Sequence, residues 1–238
     1  MNGLSGAAGD RLTFAFDMDG TLLLGQETGF PAGNRAVEEA LRARGRRGPE
    51  GASLMGEAYR FTTTEAGSFV LSKREQIRVA MALAGLPPDE AEEERLLALF
   101  LERALPHRRA DPAAPALLEA LRARGHRAGV ATAAPADVAE PELHAAGLDR
   151  SIDFLLTFRE AGAPKGTPGY ARALRRLAGP GPLVMVGDSE TDVLAGRLAG
   201  AVTVLVERGP YRGLEPDHRV RGLEEILPLA GELAAGRA

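Results

Sequence analysis

No cysteine occurs among the 238 residues, so disulfides and thiolate metal sites are both excluded. The same absence fits a reducing compartment, and a cytoplasmic location is expected. A membrane-spanning run is missing as well, because the apolar stretch from Leu12 to Leu24 is broken by Asp17 and Asp19. No secretory leader is visible, and the opening MNGLSGAAGDR reads as a loose polar tail. There is no large charge of one sign: the formal charge of −4 exerts no long-range pull on nucleic acid or anionic membrane, so neither is expected as a partner. Lysine is nearly absent. Of 29 basic residues only Lys73 and Lys165 are lysines, in a chain that otherwise uses arginine. A lysine here is the rarer choice, although Lys73 reads equally well as an ordinary surface residue. His107, His126, His144 and His218 are scattered, and none reads as a metal ligand.

What remains is ordered by hydrophobic periodicity. LTFAF at Leu12 to Phe16 is a short apolar run that ends in Asp17 and reads as a buried strand. From about Gly25 to His107 the pattern is helical, with expected helices from Asn34 (as N-cap) to Arg44, from Phe69 to Ala84 and from Pro88 to Leu105. Strict alternation follows. Helices are expected from Asp111 to Arg124, near Asp137 to Ala146 with an interruption at Pro141, from Thr167 to Gly179, and from Glu190 to Ala199. Strands are expected at His126 to Ala131, Ile152 to Leu156, Leu183 to Val186 and Ala201 to Val206, with a helical tail from Leu223 to Leu233. The expected fold is therefore α/β, a doubly wound parallel sheet with an all-helical insert. Residues 1–24 and 108–238 form the core and residues 25–107 the insert. The basic clusters Arg42 to Arg47 and His107 to Arg109, and the acidic run Glu92 to Glu94, read as solvated faces or hinges.

In open parallel sheets ligands bind beyond the carboxyl ends of the strands. There the sequence places Asp17, Asp19 and Thr21 after the first strand, Thr132 after HRAGVA, and Asp188 and Asp192 after LVMV. Lys165 precedes the Thr167 helix. Several carboxylates on adjacent loops repel one another unless a cation lies between them, and Mg²⁺ suits a site that also takes phosphate. The bland alternatives are that Asp192 alone is a first-turn helix acid and Thr132 a strand-end hydroxyl.

FDMDGTL at Phe16 to Leu22 resembles the first signature, hDxDxT, of the haloacid dehalogenase superfamily. Thr132 at a strand end is similar to the second motif, Lys165 in PKGTP to the lysine motif, and VGDSETD at Val186 to Asp192 to the acidic fourth motif. The resemblance implies that Asp17 attacks phosphorus to form an aspartyl-phosphate, and that Asp19 protonates the leaving oxygen and then activates water. It implies a Mg²⁺ held by Asp17, the main-chain carbonyl of Asp19 and Asp188, with Asp192 close by. Thr132 and Lys165 would contact the phosphoryl oxygens beside Ala133, where relatives often have Asn and a side-chain contact is therefore missing. Gly166 stands where the lysine motif often has Pro.

The insert occupies the position of a cap in that superfamily, which would exclude water and screen small substrates. Linkers near Gly25 to Gly33 and Pro106 to Pro112 are the expected hinges. Arg46, Arg47, Lys73 and Arg74 are either anchors for an acidic substrate or surface charge. The expected activity is hydrolysis of small-molecule phosphate monoesters, resembling phosphoglycolate phosphatases. The alternatives are a sugar phosphomutase resembling β-phosphoglucomutase, against which Thr21 leans, and a catalytically silent binding protein on the same fold. The second acid, Asp19, argues against the dehalogenase and phosphonatase branches.

Overall fold

The computed structural model describes residues 11–44, 53–63 and 71–236. Arg46 and Arg47, and the expected start of a helix at Phe69, lie outside the described residues. The chain opens with β1 (Thr13–Phe16), β2 (Leu23–Leu24), α1 (Gln26–Arg44), α2 (Leu54–Thr62), α3 (Lys73–Leu83) and α4 (Glu90–Ala104). It continues through β3 (Arg109–Ala110), α5 (Ala114–Ala123), β4 (Arg127–Ala131), α6 (Ala136–Ala145), β5 (Leu155–Leu156) and α7 (Phe158–Ala161). The last part is α8 (Pro168–Ala178), β6 (Leu183–Gly187), α9 (Glu190–Leu198), β7 (Val202–Val206), β8 (His218–Val220) and α10 (Ile226–Ala234). No described helix is long and apolar enough to cross a membrane.

Six strands form one parallel sheet in the order β5-β4-β1-β6-β7-β8. The chain builds outward from β1 on one side, then returns to build outward on the other, so the winding reverses at β1. Alternation along β1 divides the core. Phe14 and Phe16 pack with Val184, Val186 and Leu118 on one face, while Ala15 packs with Met185, Tyr170 and Leu174 on the other. Phe16 is level with Val130 of β4 and Val186 of β6, so Asp17 leaves the sheet level with the ends of both neighbours.

Helices α1 to α4 carry an apolar cluster of their own, with Val37, Leu41, Ile77, Met81, Leu96 and Phe100, joined from the sheet region by Val138 of α6. The short antiparallel pair β2 and β3 brings the two connecting segments side by side.

Several elements depart from expectation. α1 starts at Gln26 rather than Asn34 and runs through Gly29, Pro31 and Gly33. A Cβ at Gly33 would lie 2.5 Å from the Phe100 ring, so this glycine lets α1 approach α4 closely rather than marking a turn. α6 runs unbroken through Pro141 because Val138, Ala139, Glu142 and Leu143 are buried on one face. The helix expected from Asp111 begins at Ala114; Asp111 instead accepts from Ala113 N–H at 2.9 Å in the preceding turn. β8 and α2 were not anticipated, β8 having only three residues and α2 nine. Glu93, read as solvated, is fully buried and accepts from Arg78 at 2.6 Å and Arg74 at 3.2 Å.

Candidate active site

The end of β1 delivers Asp17 into the sheet edge with its N–H bonded to Val186 O at 2.8 Å. The chain then turns tightly at Gly20, where φ is +76° and an added Cβ would fall 2.1 Å from an Asp188 carboxylate oxygen. Only glycine meets both the left-handed conformation and the close approach. Arg208 braces this turn, donating to Gly20 O at 2.9 Å and to Asp111 at 2.5 Å.

Lys165 is 4% exposed and lies at the centre of the carboxylates. Its Nζ donates to Asp17 Oδ1 at 2.5 Å and to Ala131 O at 2.7 Å, and pairs with Asp192 Oδ1 at 2.5 Å. Burial pulls its pKa down, but the Asp17 and Asp192 carboxylates more than offset this and hold it above the ordinary value. Asp192 both caps α9 and faces Lys165. Its Oδ2 accepts from Ser189 N–H at 2.9 Å and Ser189 Oγ at 2.6 Å as the capping box of α9, while Oδ1 faces Lys165.

Burial and the neighbouring Asp192 push the Asp17 carboxyl well up, and burial with Asp192 raises Asp188 to about 6. Asp17, Asp188 and Asp192 each present an oxygen, all within 4.8 Å of one another. Mg²⁺ takes oxygen ligands, carboxylates among them, so the donor set suits a hard divalent ion in its chemistry. One ammonium among three carboxylates also leaves a negative surplus that such an ion would remove. The side-chain cluster contains Asp192 and not Asp19.

Thr132, at the end of β4, is 1% exposed, and its Oγ1 accepts from Ala134 N–H at 3.0 Å, which leaves the hydroxyl hydrogen to donate elsewhere. Buried Tyr170 ties the same strand end down, donating to Thr132 O at 3.1 Å or Leu156 O at 2.9 Å. Ala133 lies on the following loop and lines a cavity with Asp19. Thr21 is buried, and its Oγ1 has no hydrogen-bond partner among the described residues.

Asp19 takes a direction of its own. Its Oδ1 accepts from Arg108 Nη2, which also donates to Glu142 Oε2 at 2.9 Å. Burial raises the Asp19 pKa and the guanidinium pulls it back. Burial also pushes Glu142 up to about 7 against the same guanidinium. Arg108 and Glu142 escaped the sequence reading, Arg108 as part of a presumed solvated cluster and Glu142 beside a presumed helix break. A signal for Glu142 was present: a charge four residues after Val138 on an apolar helix face. Lys73, which the sequence left open as a surface residue, is 1% exposed.

Comparisons agree with this architecture. The family model described as a haloacid dehalogenase-like hydrolase matches residues 12–200. Pyrophosphatase PpaX of Bacillus velezensis is 31% identical over 121 residues, covering 48% of this chain and 56% of that protein. The chain thus spans about half the length of the curated relatives it matches. Among solved structures, a HAD phosphatase from Thermococcus onnurineus superposes with a TM-score of 0.65 at 23% identity, over 93% of this chain and 98% of that one. The L-2-haloacid dehalogenase of Xanthobacter autotrophicus gives 0.62 at 17% identity, over 92% and 98%. At these identities the structural likeness establishes the fold, which phosphatases and dehalogenases share. Since the family model covers most of its length, the chain belongs to the haloacid dehalogenase-like hydrolases.

Proposed function

We propose that this chain is a Mg²⁺-dependent phosphatase of small-molecule phosphate monoesters, with Asp17 as its covalent nucleophile. The observation that supports it best is the Asp17 carboxylate beyond the end of β1, held at 2.5 Å by buried Lys165 and grouped with Asp188 and Asp192. In this reading Asp17, Asp188 and the main-chain carbonyl of Asp19 hold the ion, with Asp192 beside them. The ion, when bound, supplies positive charge to the phosphoryl oxygens and offsets the carboxylates.

The remaining steps belong to the chain's own side chains. An Asp17 oxygen attacks phosphorus while the bond from phosphorus to the ester oxygen breaks, and Asp19 gives its proton to that leaving oxygen. Water then attacks the phosphorus of the aspartyl-phosphate, Asp19 takes the water's proton, and Asp17 is released with inorganic phosphate. Thr132 and Lys165 position the phosphoryl oxygens, while Ala133 leaves room beside them. Residues 25–107 act as a cap over the core formed by 1–24 and 108–238.

Asp19 separates this reading from a dehalogenase, whose chemistry needs no acid for the leaving group. The direct test is release of inorganic phosphate from a panel of monoesters with Mg²⁺, for the native protein and for Asp17→Asn. Loss of a covalent route predicts a fall in kcat of more than ~10³-fold in a variant that melts as a folded protein. Retention of a tenth of the native kcat would remove Asp17 from the role. Transfer of phosphate to a second position of a sugar, without release, would favour a mutase.

A further inference from the structure

Arg108 stands just before β3, with its N–H bonded to Leu105 O at 2.9 Å and its side chain fully buried. One nitrogen makes both of its ion pairs. Nη2 meets Asp19 Oδ1 and also Glu142 Oε2 at 2.9 Å, while Nε and Nη1 have no hydrogen-bond partner among the described residues. The stem is fixed by packing: an added Cβ at Gly29 would fall 3.2 Å from its Cδ, and its Cζ lies 6.0 Å from the Phe30 ring centre. A buried charge with idle donors is commonly no more stabilising than an apolar side chain of similar volume, so packing alone gives no reason for arginine.

The Asp19 carboxyl supplies one. Asp19 lines a cavity of about 330 Å³ with Phe30, Tyr59 and Ala133, and its side chain is 23% exposed. Arg108 is not among the residues that line this space. The guanidinium occupies Oδ1, and no described residue donates to Oδ2. Arginine offers donors only, so a proton on Oδ1 would face another N–H; any proton the carboxyl carries therefore sits on Oδ2. Glu142 anchors the same Nη2 to α6, which ties the arrangement to a helix rather than to a loop.

We infer that Arg108 is a positioning residue for the leaving-group acid: by holding Asp19 Oδ1 it directs Oδ2, and the proton carried there, to the ester oxygen. The inference rests on the phosphatase reading above. As the bond from Asp17 to phosphorus forms and the bond from phosphorus to the ester oxygen breaks, the Oδ2 proton passes to that oxygen and Asp19 is left as a carboxylate still held by Arg108. Arg108 itself touches neither the phosphoryl group nor the leaving group.

The test compares ethyl phosphate, whose leaving oxygen needs a proton, with nitrophenyl phosphate, whose leaving oxygen does not. kcat/KM reports the steps up to phosphoryl transfer, so breakdown of the shared aspartyl-phosphate does not enter. The variants are Arg108→Lys, Glu142→Gln, and Arg108→Met combined with Glu142→Gln, which removes both buried charges together and so spares the fold an unpaired one. The ratio of kcat/KM for ethyl over nitrophenyl phosphate should fall ~10-fold or more in the double variant, within the ~10²–10⁴-fold that a general acid supplies. Arg108→Lys should fall between native and double variant, because an ammonium keeps the charge but not the fixed fork. Glu142→Gln alone should lose less than the double variant, since Nη2 still holds Asp19. In an Asp19→Asn background, Arg108→Lys should leave the ratio where Asp19→Asn put it. Equal slowing of both esters in the folded variants, or a further fall in the ratio without Asp19, would make Arg108 structural and overturn the inference. So would a loss in Glu142→Gln alone as large as in the double variant, or failure of both Arg108 variants to fold. If the native protein hydrolyses neither ester, the phosphatase reading falls and this inference with it.

Discussion

Asp17, Asp188 and Lys165 owe their legibility to position. Each carboxylate directly follows an apolar run that can only be a buried strand, and a parallel sheet brings such ends together. Arg108 and Glu142 were not legible because their pairing joins residues 34 apart, and Asp19 lies 89 residues from Arg108. Local pattern carries no information about such partners. Asp188 provides a prediction at this scale. Its pKa stands near 6 in the fold, above its ordinary value near 3.8, because burial and Asp192 oppose ionisation. The metal-free fold then binds a proton that the unfolded chain has already released. Stability from this group is therefore present at acid pH and is lost as pH rises through about 4 to 6. Mg²⁺ reverses the sign of the local field and competes with that proton. Titration of Mg²⁺ followed by thermal melting should give an apparent affinity at pH 5.5 that is ~4-fold weaker than at pH 7.5 from Asp188 alone, and weaker still with Asp17 contributing. An affinity that does not change across this range would show that Asp188 is not a ligand.

At the scale of elements, α8 and α1 make the contrast. α8 was readable close to both ends, since Thr167 caps it, Pro168 opens it and Gly179 closes it. α1 was not, since Gly29, Pro31 and Gly33 resemble a turn when the close approach of α4 is unknown. The link between α3 and α6 was equally hidden. Asp137 of α6 accepts from Lys73 N–H at 2.9 Å and Arg74 N–H at 2.8 Å, so a residue of the sheet region caps a helix of the insert. Two charge-assisted bonds to a helix N-terminus predict that Asp137→Ala costs about 1–2 kcal/mol in denaturant unfolding. A change under ~0.3 kcal/mol would mean that the clamp contributes nothing to holding α3.

For the whole molecule, the winding of the sheet accounts for where the chemistry lies, and the shared fold leaves the choice of chemistry to side chains. β1 sits between β4 and β6, so the loops that bear Asp17, Thr132 and Asp188 converge at one edge. Helices α1 to α4 cover their own apolar cluster, and α1, α2 and α3 line, with Asp19, the cavity in which a leaving group would lie. The central claim is that phosphate passes through Asp17. It is tested most directly by acid quench of a single turnover with ³²P-labelled aryl phosphate, Mg²⁺ and Asp19→Asn. An aryl leaving group needs little protonation, so attack proceeds, whereas breakdown lacks its base and slows by ~10²-fold or more. The account predicts acid-stable label on the peptide that carries Asp17. Turnover with no label on the protein, or label on a different residue, would contradict it.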